Sequence, residues 1–343
     1  MQGYVRKGPA GTVRIVTLTL IALLAGAVCT PAAGKKSKAP LAETSGTPVL
    51  WRDPADWATR DLFYGPGGKA HEPHGPFTFV KEDLDGTNPK FTVRDLDGVK
   101  WKVKMGLEAR PETVASRLVW AAGYYADEDY FVEDLRVDGM PPHLQRGQKL
   151  VAADGSLHSV RLKREREDKK NGDWQWTHDP FTNTREWNGL RTLMALINNW
   201  DLKDENNTVL RSGDEGIYEV SDLGASFGSA GRTWPRSHAK DNLDSYRRSR
   251  FIRLLTPDTV SFQVPARPMW VYLVNPKEYF SRLHLEPVGR NVPRADARWL
   301  GQLLARLSPA QIRDAFRAAG YSREETESFA RILEDRLTVL SDL

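Results

Sequence analysis

Between Phe77 and Met105 apolar and polar residues alternate with a period of two, in short runs broken by turn formers. Phe77–Lys81 and Phe91–Asp95 flank a polar turn holding Gly86 and Pro89, and an Asp97-Gly98 turn leads into Val99–Met105. The pattern predicts antiparallel strands. In Lys100-Trp101-Lys102-Val103-Lys104-Met105 the alternation places Trp101, Val103 and Met105 on one face and the three lysines on the other. The period then lengthens. Pro111 opens a helix in which Val114, Ala115, Leu118, Val119 and Ala122 recur at helical spacing, and Gly123 closes it. Tyr130–Val137 predicts one more strand.

From Met140 to Asp179 the pattern weakens to a hairpin and the mixed-sign run Arg161–Lys170, which reads as a solvated face. Beyond Asn188 the chain turns helical, with Leu190, Leu193, Met194 and Ile197 at i, i+3, i+4 and i+7. Tyr218–Asp222 alternates as a short strand. Two helices close the chain: Ser308 with Gln311 and Ser322 with Glu325 each fit a capping box, and Gly320 between them fits a C-cap. Strands followed by helices predict an α+β architecture, with a small strand-rich lobe over residues 49–139 and a larger, mainly helical one over residues 140–343.

The N-terminus follows a different logic. Arg6, Lys7 and Arg14 precede the apolar stretch Ile15–Val28, and small residues follow as far as Ala33. This predicts a signal peptide over residues 1–29 and a flexible linker over residues 30–48, hence export to the periplasm or the extracellular space. A stretch of fourteen residues, diluted by Thr17 and Thr19, is short for a bilayer, so no transmembrane domain is expected after cleavage. The only cysteine, Cys29, offers lipoprotein acylation as an alternative anchor.

Composition adds two exclusions. With 40% hydrophobic residues, including 11 Trp, 12 Phe and 10 Tyr, the chain has enough apolar area for a folded core and is not disordered throughout. Its net charge of +4 does not argue for nucleic acid: six of the 49 basic residues and no acidic ones lie in residues 1–38, which leaves 43 basic against 45 acidic in the body.

The candidate chemistry lies in the second half. In Asn198-Asn199-Trp200-Asp201-Leu202-Lys203-Asp204-Glu205-Asn206 an Asp and an Asn stand five apart where a helix runs into a polar loop. That is the spacing at which an Asp orients an attacking hydroxyl and an Asn binds a metal ion in kinase catalytic loops. Sixteen residues beyond Asn206 comes Asp222-Leu223-Gly224, a strand-ending Asp whose carboxylate can chelate Mg²⁺, with a glycine that permits the turn aiming it. Upstream, Lys104 ends its strand and Glu112 sits in the first turn of the next helix, so a carboxylate can hold the ammonium group toward phosphates. Lys100 reads as part of a surface stripe, and Lys102 shares the face of Lys104.

These motifs resemble the atypical kinases of the HipA-type and phosphatidylinositol-kinase-like branch, including related secreted kinases. Glu112 to Leu118 resembles the Glu-bearing helix of HipA-type kinases, and Leu196-Ile197 followed by Asp201 and Asn206 resembles their catalytic loop. Asp222 to Gly228 resembles the metal-binding Asp segment of the phosphatidylinositol kinases. The resemblance covers roughly Phe77 to Gly228, about half of the chain. It implies a two-lobed protein kinase-like fold and ATP with Mg²⁺ or Mn²⁺ as cofactors. It also implies transfer of the γ-phosphate to a hydroxyl of a protein, sugar or lipid. Lys104 and Glu112 would serve the nucleotide, Asn206 and Asp222 the metal, and Asp201 the acceptor. The sequence departs from ordinary protein kinases in two places: no His-Arg precedes Asp201, and no G-x-G-x-x-G loop is present, the nearest substitute being the turn Asp85–Lys90.

Other classes fit less well. His71 and His74 are separated by Pro73 without a clustered third ligand, against zinc catalysis, and no G-x-S-x-G supports a serine hydrolase. Two alternatives stay open: an adenylyltransferase on the same fold, and an exported pseudokinase that binds a protein or glycan through its cleft and Trp174-Gln175-Trp176.

Overall fold

The computed structural model describes residues 46–86, 88–166, 170, 172–229, 240–264, 270, 273 and 286–343. The expected signal peptide, Cys29 and nearly all of the linker lie outside them. In chain order the first half forms β1 (Thr47–Val49), β2 (Phe77–Asp83), β3 (Lys90–Arg94), β4 (Lys100–Lys104), α1 (Ala109–Ala121), β5 (Tyr125–Ala126), β6 (Asp129–Leu135), β7 (Val137–Asp138) and β8 (Leu157–Arg164). The second half forms α2 (Arg185–Leu196), β9 (Asn207–Ser212), β10 (Glu215–Val220), α3 (Leu243–Arg248), β11 (Ile252–Leu255), β12 (Thr259–Phe262), β13 (Val292–Pro293), α4 (Arg294–Leu304), α5 (Pro309–Arg317) and α6 (Arg323–Ser341). These elements belong to one compact unit, Leu41–Leu343.

Six strands make one sheet in the order β6-β8-β4-β3-β2-β7, antiparallel except for the β2–β7 edge. The turn into β4 is built by Asp95, whose carboxylate accepts from the Val99 amide at 2.8 Å and from the Trp101 indole at 2.7 Å. Alternation then sorts the residues. Phe91, Val93, Trp101, Val103, Val160 and Leu162 pack on one face with Tyr130 and Leu135, forming a core of their own. The opposite face is charged.

Helix α1 lies against that charged face and has two different sides. Val114, Ala115, Leu118 and Val119 belong to a second, larger core shared with α2 and the C-terminal helices. Glu112 and Arg117 reach the sheet instead, Glu112 to Arg161 of β8 at 2.7 Å and Arg117 to the Asp129 carbonyl of β6 at 2.9 Å. One core on the far face of the sheet and a second shared by α1 and the later helices give the two-lobed α+β architecture expected from the sequence.

The strand-rich layer reaches further than residue 139, where the sequence places its end, because β8 threads between β6 and β4. The run Arg161–Lys170, expected to be a solvated face, begins inside the sheet, where Arg161 is 2% exposed; residues 167–169 lie outside the described ones. The Trp-rich segment is also a correction. Trp174 and Trp176 are buried and pack on each other and on Trp187, with ring centroids 5.0–5.8 Å apart, so they are core residues and not a protein- or glycan-binding surface.

β10 is the centre of a smaller sheet, with β1 and β5 parallel to it and β9 antiparallel, and β11-β12-β13 form a third. Both C-terminal capping boxes are formed, Ser308 with Gln311 and Ser322 with Glu325. Among the described residues no helix is long and apolar enough to cross a membrane. Gly320, between α5 and α6, has a φ of 71°, and a Cβ there would stand 2.3 Å from the Phe131 ring. Gly320→Ala is therefore expected to lower unfolding stability by about 1–2 kcal/mol for the left-handed backbone, plus the cost of moving Phe131. An unchanged urea midpoint would contradict this.

Candidate active site

Beneath the charged face of the six-stranded sheet lies an open cleft of about 480 Å³. Lys102, Lys104 and Arg161 line it from the sheet, while Asn206, Thr208 and Asp222 line it from the other lobe. Gly86 and Asn88, of the turn between β2 and β3, border the same space. Thr87 of that turn lies outside the described residues.

Lys104 is the hub. It is the last residue of β4 and points to the side opposite Val103, where α1 covers it and leaves it 6% exposed. Its ammonium stands 2.7 Å from Glu112 Oε2, 2.5 Å from Asp222 Oδ1 and 3.3 Å from Glu108 Oε2. Burial alone disfavours the charged lysine, but Glu112, Asp222 and Glu108 outweigh it and hold its pKa above the ordinary value. Lys104 is thus not part of an exposed lysine stripe. Lys102 is only half-buried and pairs with Asp83 at 3.0 Å.

Asp222 follows β10 by two residues and adopts a left-handed backbone, φ 55°. Asp tolerates that region better than most residues, and the local turn presents its carboxylate to Lys104. Burial pushes this carboxyl up, yet the Lys104 charge and hydrogen bond dominate and bring its pKa down to about 2. Gly224 has another role than the sequence suggests. The positive φ belongs to Asp222, whereas a Cβ on Gly224 would stand 2.6 Å from Glu108 Cβ, so the glycine lets this loop close against the start of α1.

The Asp201 loop is tied to itself. Asn199 Oδ1 accepts from the Asp201 amide at 3.1 Å, and Asn206 Nδ2 donates to the Asp201 carbonyl at 3.1 Å. The five-residue spacing therefore closes a loop that sets Asn206 on the cleft wall. The Asp201 carboxylate is half-exposed, accepts from Lys203 Nζ at 3.0 Å, and is not among the groups lining the cleft. Lys104, Glu112, Asn206 and Asp222 share one cleft; Asp201 joins it through Lys203 and Asn206.

Several participants escape sequence reasoning. Glu108 is buried, accepts from Asn88 at 2.5 Å and pairs with Lys240; burial opposes its ionisation, but Lys104 and Lys240 prevail and lower its pKa. Arg161 bridges Glu112 to Asp129, the latter at 3.3 Å. Burial raises the Asp129 pKa against the pull of Arg161. Glu108 had a signal, four residues from both Lys104 and Glu112, and so did Arg161, which alternates with Val160 and Leu162 as a strand residue. Lys240 had none, being remote in sequence from every partner. His71 and His74 each face a carboxylate, Glu128 at 2.8 Å and Asp97 at 3.3 Å respectively.

No model of a known protein family matches the chain, and no curated protein matches it. Among solved structures it is similar to the Helicobacter pylori proinflammatory kinase CtkA at 12% identity and a TM-score of 0.44, covering 79% of this chain and 98% of that one. It is also similar to the Golgi casein kinase at 10% identity and a TM-score of 0.33, over 78% and 73% of the two chains. Likenesses this distant give no role to any residue.

The Asp222–Lys104 pair has a pH signature. A carboxylate whose pKa is lowered on folding contributes stability that is full above its unfolded value, roughly 3.9, and is lost as pH falls toward about 2. Asp222→Asn should flatten the pH dependence of unfolding between about pH 4 and 2, by roughly 1 kcal/mol because the side chain is 38% exposed and screened. Identical slopes for variant and parent in urea titrations would contradict it.

Proposed function

We propose that the chain is a divalent-metal-dependent phosphotransferase that moves the terminal phosphoryl group of ATP to a hydroxyl acceptor. The carrying observation is the Lys104 ammonium, fixed by Glu112 at 2.7 Å and facing Asp222 at 2.5 Å in a cleft that Asn206 also lines. Motif resemblance to HipA-type and phosphatidylinositol-kinase-like enzymes supports the same reading. The N-terminal pattern supports export, with the acceptor a protein, sugar or lipid outside the cytoplasm.

The donor set suits a hard cation. Asp222 is ionised and partly open to the cleft, Asn206 offers an amide oxygen, and carboxylate oxygens of Glu108 and Glu112 lie within 4.8 Å of that of Asp222. Asp222 and Asn206 would hold Mg²⁺ or Mn²⁺, which supplies charge neutralisation to the phosphate oxygens when bound. Lys104 adds a fixed positive charge, and Glu112 keeps it from turning away. The Gly86–Asn88 side of the cleft covers the phosphates in place of a glycine-rich loop. Asp201 turns from Lys203 to accept the hydroxyl proton as the acceptor oxygen bonds to phosphorus and the bond to ADP breaks.

Parallel reactions with α- and γ-labelled ATP and Mg²⁺ or Mn²⁺ test this. Label from the γ position is expected, with Asp222→Asn losing metal-dependent nucleotide binding and Asp201→Asn keeping it while transfer falls at least about a hundredfold. Label from the α position alone would mean adenylyl transfer, and neither label nor nucleotide-dependent thermal stabilisation would mean a non-catalytic chain.

A further inference from the structure

The cleft roof carries more positive charge than one clamped lysine requires. Lys90, Lys104 and Arg161 stand opposite one another on β3, β4 and β8, and Lys102 stands opposite Lys163 two residues along. All five line the cleft, together with the carboxylates of Glu112 and Asp222 that pair with Lys104 and Arg161. With about 4.8 Å between strands and about 7 Å between alternate residues, they form a grid of the size of a short run of linked phosphates. Lys170 and Lys203 add two charges from elsewhere on the wall.

The cations are paired with carboxylates of neighbouring elements, Asp83 standing opposite Lys90 in the sheet. Asp83 holds Lys102 at 3.0 Å and Lys90 at 3.5 Å, and Asp127 holds Lys163 at 3.0 Å, yet neither aspartate lines the cleft. Among the described lining residues none is aliphatic or aromatic. A planar base gains affinity by being packed between apolar surfaces, and this wall offers it ammonium groups instead.

We propose that the cleft recognises a chain of condensed phosphates as such, so that inorganic tripolyphosphate is a ligand equivalent to a nucleoside triphosphate and the base contributes almost nothing. This rests on the phosphotransferase reading only in taking the same cleft as the phosphate site. The ligand class is a linear polyphosphate carried with a divalent cation. ATP and GTP are then two members of it, distinguished from each other weakly.

Calorimetric titration of the full chain with Mg²⁺ and, separately, sodium tripolyphosphate, ATP, GTP and adenosine decides the matter. The expected result is three phosphate ligands within about threefold of one another in Kd, and no binding of adenosine at millimolar concentration. Lys102→Ala and Lys163→Ala should weaken tripolyphosphate and ATP by the same factor, because both act on phosphates alone. ATP binding more than about tenfold tighter than both GTP and tripolyphosphate, or saturable binding of adenosine, overturns the inference and leaves the phosphotransferase reading standing. Absence of binding by all three phosphate ligands overturns both.

Discussion

Glu112 divided between Lys104 and Arg161 is the contact on which the site depends. Its two carboxylate oxygens take one cation each, at 2.7 Å, and both cations come from adjacent strands of one sheet. Helix α1 is consequently attached to the helical lobe by apolar packing and to the sheet by charge. Burying such a group is costly unless every neighbour is in place, and removing one partner from a buried pair leaves an uncompensated charge worth about 3–5 kcal/mol. Apolar surfaces can slide; a carboxylate between two fixed cations cannot. The helix therefore has one register against the sheet, and the ammonium of Lys104 has one direction.

That attachment reaches the loop carrying Asp222. Gly224 rests against Glu108, and Glu108 in turn binds Asn88, Lys104 and Lys240, so the turn over the cleft, the clamp lysine and the Asp222 loop meet at one carboxylate. A shift of α1 away from the sheet would separate all of them together. The left-handed Asp222 backbone is tolerable in this setting because the Lys104 contact repays it in the folded state.

How far the sequence showed this depends on what period and spacing can encode. Period-two alternation located β2, β3, β4 and β6, helical spacing located α1 and α2, and capping chemistry located the starts of α5 and α6, although α5 is capped by Ala318, two residues before Gly320. Alternation says which residues share a face, but not what covers that face. The run from Arg161 looked solvated because polar residues on a two-faced strand usually meet water, whereas here α1 covers Arg161. Trp174 and Trp176 looked like a binding surface for the converse reason: without a clear period, nothing in the sequence says that Trp187 packs on them. Lys240 reaching Glu108 across 132 residues is a product of the fold alone.

The loops bearing Asp201 and Asp222 are stitched to each other before either meets the sheet. The Phe227 amide donates to the Ile197 carbonyl at 2.8 Å, and Asn198 Nδ2 donates to the Gly228 carbonyl at 2.8 Å. From behind, Arg336 of α6 donates to the Leu196 carbonyl at 2.9 Å and to the Tyr246 carbonyl at 3.0 Å, while the Tyr246 hydroxyl donates to the same Leu196 carbonyl. The Leu196 carbonyl at the end of α2, which its own helix leaves without a partner, is thus satisfied by side chains from two distant elements. A buried arginine is an expensive way to do this, and burial lowers its pKa. It suits the task because a planar fork of donors fixes several carbonyls at once, where a lysine would bind one and swing. The C-terminal helices accordingly position the end of α2, the end of α2 positions the Asp201 loop, and the loop positions Asn206 opposite the charges that Glu112 has fixed.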